Sequence, residues 1–289
     1  MRPRSATSSS FRTCARKRPE APVIGVFDSG VGGLTVLKAL LREMPAERFV
    51  YLGDTARLPY GTKSPETVGR YALQAAEALA GYGLKCLVMA CNTASAVALP
   101  AVRAQLASLP VIGVIEPGAE AAADASPSGR IAVLATEGTV RGGAYQQAIL
   151  RRRPEAQVYA LPAPLFVALA EEGLGDGPIA EAVAHHYLDA LFAPAAGAAP
   201  DTLVLGCTHF PMVAGAIRAA VGSAVRIVDS AETTARHVRA ALRQAGLAQA
   251  GGQGGLRLLA TDAPERFARI GARFLERPIS EREVELIDL

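Results

Sequence analysis

Cysteine is scarce in this chain: Cys14, Cys86, Cys91 and Cys207 are the only four among 289 residues, and no C-x-x-C pair occurs. That excludes a disulfide scaffold and a cysteine-rich zinc site, and a reducing cytoplasm is the compartment that suits such thiols. Long apolar runs are also missing. Gly, Pro or a charge interrupts every stretch before it reaches about 18 residues, so no transmembrane helix is expected. Acidic residues are absent from residues 1–19, where Arg2, Arg4, Arg12, Arg16, Lys17 and Arg18 give a charge of +6. The whole chain carries only +3, so the remaining 270 residues sum to −3, and a basic nucleic-acid-binding body is excluded. No apolar stretch follows these basic residues, so they do not form a secretory signal. Their composition is that of an organellar transit peptide or, more simply, of a disordered basic extension over residues 1–21.

Half of the residues are hydrophobic, enough to build proper cores at this length. From residue 22 onward, short apolar runs ending in Gly, Asp, Asn or Thr alternate with Ala/Leu-rich amphipathic stretches. Strands buried on both faces and separated by helices give that pattern. Strands are predicted at 23–27, 49–52, 85–90, 111–114, 131–135, 156–160, 202–206, 225–228 and 256–260. A helix is predicted over 65–80, with Ser64 as its cap, Pro65 in its first turn and Glu66 at its positive end. Helices are also predicted at 94–107 and 211–221, and the Gly/Ala-rich segment 246–255 reads as a loose connection.

The chain repeats itself. Leu87-Val88-Met89-Ala90-Cys91 parallels Leu203-Val204-Leu205-Gly206-Cys207, and Ile24-Gly25-Val26-Phe27-Asp28-Ser29 parallels Ile131-Ala132-Val133-Leu134-Ala135-Thr136. Buried strands look alike by chance, but two matched pairs in the same order favour duplication. The expected fold is therefore α/β, with two similar parallel-sheet lobes related by internal duplication. The active site is expected in the cleft between them, at the carboxyl ends of the strands.

Both repeats end in chemistry. Cys91-Asn92-Thr93 and Cys207-Thr208-His209 each close a buried strand and precede a predicted helix, whose amino end would favour a thiolate. His209 is placed to shuttle a proton near Cys207, and Asp28 is expected to assist Cys91 in the same way. Cys86 lies inside its strand and reads as inert core. Asp28-Ser29-Gly30-Val31-Gly32-Gly33 follows the first strand and suits an anion at a helix start, although it is not a dinucleotide fingerprint. Gly53-Asp54-Thr55 and Pro59-Tyr60-Gly61 read as turns.

Five stretches taken together resemble glutamate racemase: 26–37 (VFDSGVGGLTVL), 51–64 (YLGDTARLPYGTKS), 90–95 (ACNTAS), 134–145 (LATEGTVRGGAY) and 205–211 (LGCTHFP). The resemblance covers nearly all of residues 22–289. It implies that Cys91 and Cys207 are the two acid/base cysteines and that Asp28, His209 and Glu171 also belong to the catalytic site, with Glu172 an alternative register for Glu171. It implies substrate contacts from Asp28, Ser29, Tyr60, Gly61, Asn92, Thr93, Thr208 and His209, and from Thr136 and Thr139 for the α-carboxylate. The resemblance also implies a chain that returns to its first lobe, giving lobe A as 22–114 plus 227–289 and lobe B as 115–226. The expected enzyme racemises glutamate for peptidoglycan without cofactor or metal, as a cytoplasmic homodimer with no nucleic-acid or membrane partner. Aspartate is the alternative substrate, because the wider superfamily shares the cysteine pair.

The chemistry also follows from the residues. Inverting an α-carbon requires proton removal on one face and delivery on the other, which two bases on facing lobes can perform. A pyridoxal enzyme needs a Schiff-base lysine, and the only lysines, Lys17, Lys38, Lys63 and Lys85, sit in no recognisable setting for one. A two-lobed binding protein without catalysis would leave the paired cysteines unexplained. A redox or hydrolytic enzyme using Cys207 and His209 would leave Cys91 and the repeat unexplained. A chain beginning at Pro22 is expected to fold and keep its turnover; a truncated enzyme that folds but loses most of its rate would make residues 1–21 a regulatory arm.

Overall fold

The computed structural model describes residues 22–193 and 199–289, so the extension expected over 1–21 lies outside the described residues. All nine predicted strands form, each within two residues of its predicted bounds: β1 (Val23–Asp28), β2 (Arg48–Gly53), β3 (Leu84–Met89), β4 (Val111–Gly113), β5 (Arg130–Ala135), β6 (Gln157–Pro162), β7 (Thr202–Gly206), β8 (Arg226–Asp229) and β9 (Gly255–Ala260). A tenth, β10 (Val284–Leu286), was not predicted. Its three residues alternate as Val-Glu-Leu at a sheet edge, too short and too polar to read as a buried strand.

One sheet has the order β10-β9-β2-β1-β3-β4 and the other β6-β5-β7-β8, and every pairing is parallel. The order 2-1-3-4 of the first sheet recurs as 6-5-7-8 in the second. β5 takes the place of β1 and β7 that of β3, which are the pairs aligned by the sequence repeat. Parallel pairing brings the carboxyl ends of all strands in a sheet to one edge, where the loops can gather a site.

The largest hydrophobic cluster runs through both sheets, from Val26 and Val88 by way of Val114, Ile115 and Ala119 to Ile131 and Val204. Helix Ser230–Gln244 packs on helices Leu34–Glu43 and Ile115–Ala125, so it adds to the same junction. The return to the first sheet comes later than the expected residue 227, because β8 pairs with β7 through Asp229.

Local signals account for the helices. Helix Pro65–Ala80 starts with proline, and Ser64 Oγ accepts the Thr67 N–H at 3.3 Å. The helix predicted over 94–107 runs from Asn92 to Gln105. The one predicted over 211–221 is split into a 3-10 turn, Phe210–Val213, and the short helix Ala214–Val221.

The loose connection at 246–255 is tied down at one point. The buried Lys85 pairs with the buried Glu47, and its Nζ donates to the Leu247 carbonyl at 2.8 Å. Glu47 Oε1 accepts the Gln249 N–H at 2.8 Å. Lys85→Ala would strand the Glu47 charge and should cost roughly 3–5 kcal/mol in denaturant unfolding; a loss below about 1 kcal/mol would contradict the pairing.

Candidate active site

The loops after β1, β3, β5 and β7 converge on one cavity of about 310 Å³. Each supplies residues singled out by the sequence: Ser29 after β1, Cys91, Asn92 and Thr93 after β3, Thr136 after β5, and Cys207, Thr208 and His209 after β7. Tyr60 and Gly61 come from the turn after β2, and Glu171 from the end of helix Leu165–Glu172. At about 30 Å³ per water, the space suits a small solute. Asp28 and Thr139 lie behind the wall. Asp28 is buried, with Oδ2 accepting the Gly30 N–H at 2.9 Å, and Thr139 hydrogen-bonds to the backs of Thr93 and Thr136.

The two cysteines sit in different settings. Cys91 caps helix Asn92–Gln105, its Sγ accepting the Ala94 N–H at 3.5 Å and donating to Ser29 Oγ at 3.5 Å. Burial and then the charge of Asp28 push this thiol up to about 12, against the pull of those two hydrogen bonds. Of the pair Asp28 and Ser29, Ser29 is the one hydrogen-bonded to the Cys91 sulfur. Burial raises the pKa of the Asp28 carboxyl itself, while the charge of His209 and the N–H groups of Gly33, Gly30 and Ser29 pull it down.

No helix begins immediately after Cys207: a 3-10 segment starts at Phe210 and the α-helix only at Ala214. In place of a helix end, Cys207 has an imidazole. His209 Nδ1 lies 3.8 Å from Sγ, and Nε2 lies 3.2 Å from Glu171 Oε1. Burial pulls the histidine pKa down, but hydrogen bonds to Cys207 and Glu171, with the charges of Cys207 and Asp28, carry it up to about 10. Glu171 is held below the usual carboxylate range, first by its hydrogen bond from His209 and then by Arg266. Of the two adjacent glutamates, Glu171 faces the cavity, while Glu172 is exposed and does not line it.

Hydroxyls and amides furnish the rest of the wall. Thr93 Oγ1 reaches Thr136 Oγ1 at 2.9 Å and Thr139 Oγ1 at 3.3 Å, linking the two sheets, and the Tyr145 hydroxyl donates to Asn92 Oδ1 at 2.8 Å. Asp54 is more than a turn residue. Its carboxylate accepts from the Tyr60 hydroxyl, from Arg57 Nε at 2.7 Å and from Thr261 Oγ1 at 3.0 Å, which anchors the Tyr60-Gly61 loop. The glycines after Asp28 also serve a different purpose from the anion cradle the sequence suggested. A side chain at Gly32 would collide with His209 Nδ1 and Thr208 Oγ1, so glycine lets the loop after β1 touch the turn after β7.

Sequence reasoning missed Leu58, Pro164, Val167 and Ala168, which form an apolar part of the lining, and the support behind His209 from helix Pro264–Leu275. None of these positions carries a local signal. Among the described residues, no Lys or Arg lines the cavity: Lys38 pairs with Glu276 at 2.8 Å and Lys85 with Glu47.

The sequence profile of the Asp/Glu/Hydantoin racemase family matches residues 24–238. A glutamate racemase of Geobacter metallireducens is 52% identical over 253 residues, covering 87% of this chain and 92% of that protein. The structure of a glutamate racemase isoform from Bacillus anthracis aligns with a TM-score of 0.87 at 37% identity, covering 93% of this chain and 98% of the other. The glutamate racemase of Francisella tularensis in complex with D-glutamate aligns with a TM-score of 0.85 at 34% identity and the same coverage.

The contact at Gly32 is open to test. Gly32→Ala overpacks the junction against Thr208 and His209 and should cost roughly 1–3 kcal/mol in denaturant unfolding. A neutral substitution would mean that the two loops do not meet.

Proposed function

The chain belongs to the Asp/Glu/hydantoin racemase family and is an amino-acid racemase, and we propose that it interconverts L- and D-glutamate without a cofactor by passing protons between Cys91, Cys207 and the α-carbon. The observation that carries the proposal is the meeting of both cysteines in one cavity, each just beyond a corresponding strand of the two repeats. The names of the relatives favour glutamate over aspartate, and one of them was solved with D-glutamate.

In the proposed cycle, a Cys207 thiolate removes the α-proton of L-glutamate, and the electron pair is left on the α-carbon and its carboxylate. The Cys91 thiol then donates its proton to the opposite face, giving D-glutamate, a Cys207 thiol and a Cys91 thiolate. The reverse sequence starts from D-glutamate. His209, paired with Glu171, stands beside Cys207 to stabilise negative charge and relay its proton. The Ser29 hydroxyl and Ala94 N–H serve Cys91. Hydroxyls of Thr93, Thr136 and Thr208 and the Asn92 amide supply neutral donors for the substrate's carboxylates. The proposal extends to a cytoplasmic homodimer whose D-glutamate feeds peptidoglycan synthesis, a compartment in which the two thiols stay reduced.

Activity is expected with no added pyridoxal phosphate or metal; loss of turnover to a chelator and recovery with a metal would contradict this. Serine in place of either cysteine should lower racemisation by about 10²–10⁴-fold. The surviving thiolate should still act on a glutamate carrying a β leaving group, which departs after one deprotonation. Cys207→Ser should eliminate only from the D-analogue and Cys91→Ser only from the L-analogue. A variant pair that treats both enantiomers alike would overturn the two-base mechanism, and the reversed pattern would exchange the faces.

A further inference from the structure

Helix Pro264–Leu275 follows β9 of the first sheet, yet one of its faces is spent on the His209 side of the cavity in the second. Arg266, Arg273 and Phe274 lie seven and eight residues apart, about two helical turns, and so share a face. The Phe274 ring meets the His209 ring edge-on, with centroids 5.3 Å apart. Arg273 Nη2 donates to the Glu171 carbonyl at 3.1 Å, close to the end of helix Leu165–Glu172. Its guanidinium occupies the space where a side chain at Gly173 would stand, and Gly173 has the positive φ of +75° that suits a helix end. Arg266 Nη2 donates to Glu171 Oε2 at 2.9 Å, while Glu171 Oε1 lies 3.2 Å from His209 Nε2.

One carboxylate is thus held at both oxygens, by a guanidinium of the first-sheet helix and by the imidazole beside Cys207. A carboxylate at a helix end has several rotamers, and a charge-assisted hydrogen bond to its far oxygen narrows them. We propose that Arg266 is a positioning residue for proton transfer at Cys207: by clamping Glu171 it holds the His209 ring against the Cys207 sulfur, and it does nothing for Cys91. The inference rests on the two-cysteine reading of the site. Its substance is an asymmetry, because the geometry at Cys91 comes from Ser29 and the helix Asn92–Gln105, to neither of which Arg266 is bonded.

Charge and geometry predict opposite signs at His209. The groups that act on its ring are Cys207, Glu171, Asp28, Thr208 and Phe274, with Arg266 acting through Glu171. Removing a bare cation from this set would make the imidazole easier to protonate. Releasing Glu171 from the imidazole would make it harder to protonate.

The test is Arg266→Gln in the full chain, with Arg266→Lys as the conservative partner. Elimination from the L-analogue with a β leaving group, the Cys207 reaction, should fall about tenfold in Arg266→Gln, less than the 10²–10⁴-fold of losing an acid–base group itself. Elimination from the D-analogue should stay within about twofold, and Arg266→Lys should recover most of the L-rate. In an NMR titration of the His209 ring, the midpoint should move down in Arg266→Gln. Equal losses on both analogues, or a midpoint that moves up, would overturn the positioning role while leaving the two-base mechanism standing. If Cys207→Ser and Cys91→Ser themselves fail to separate the analogues by hand, the two-base reading falls, and the role of Arg266 falls with it.

Discussion

Two thiols that share one buried cavity do not readily carry two negative charges. Burial raises the pKa of Cys91 most, the charge of Asp28 just behind it comes next, and negative charge on Cys207 raises it further. The proposed cycle depends on that coupling, because one cysteine must present a proton while the other lacks one. The rest of the architecture can be understood as a means of bringing the pair together while keeping their surroundings different. Parallel pairing in both sheets puts β3 and β7 in corresponding places, so that the residues beyond their ends meet. The shared core and the close approach at Gly32 hold the two halves in register.

The repeat duplicates position and leaves support free to diverge. On the Cys91 side the sulfur caps a helix and touches a serine hydroxyl, an arrangement of fixed neutral dipoles. On the Cys207 side a 3-10 turn precedes the helix, and the His209 imidazole stands where the dipole would be. The Glu171 carboxylate then compensates that buried imidazole, and Arg266 and Arg273 of helix Pro264–Leu275 bond in turn to Glu171. The helix that follows β9 of the first sheet thus reaches the Cys207 side of the cavity.

Much of this was legible in the residues. The strands announced themselves because they are buried on both faces, and the cysteines stood out because the strands before them repeat. β10 gave no such sign, having three residues at an edge. The helix expected over 211–221 forms only from Ala214, because its first turn is 3-10, a difference that periodicity does not register. Glu171 and Glu172 are equal in sequence and differ only in which one faces His209. Asp54 looked like a turn, and Gly32 like part of an anion cradle, because their partners, Thr261 and His209, lie in distant parts of the chain. Arg266 is 95 residues from Glu171, and nothing local distinguishes it from other surface arginines.

The central claim is that protons enter and leave on two different sulfurs. Racemisation of unlabelled L-glutamate in D2O, stopped at low conversion, tests it most directly. A two-base enzyme delivers a solvent-derived deuteron to the face opposite the one it deprotonates. The D-glutamate formed should therefore carry one α-deuterium, while the recovered L-glutamate stays almost wholly protiated. D-glutamate that retains the original proton, or an L-glutamate pool that gains deuterium as fast as product appears, would show a single base serving both faces and would contradict the account.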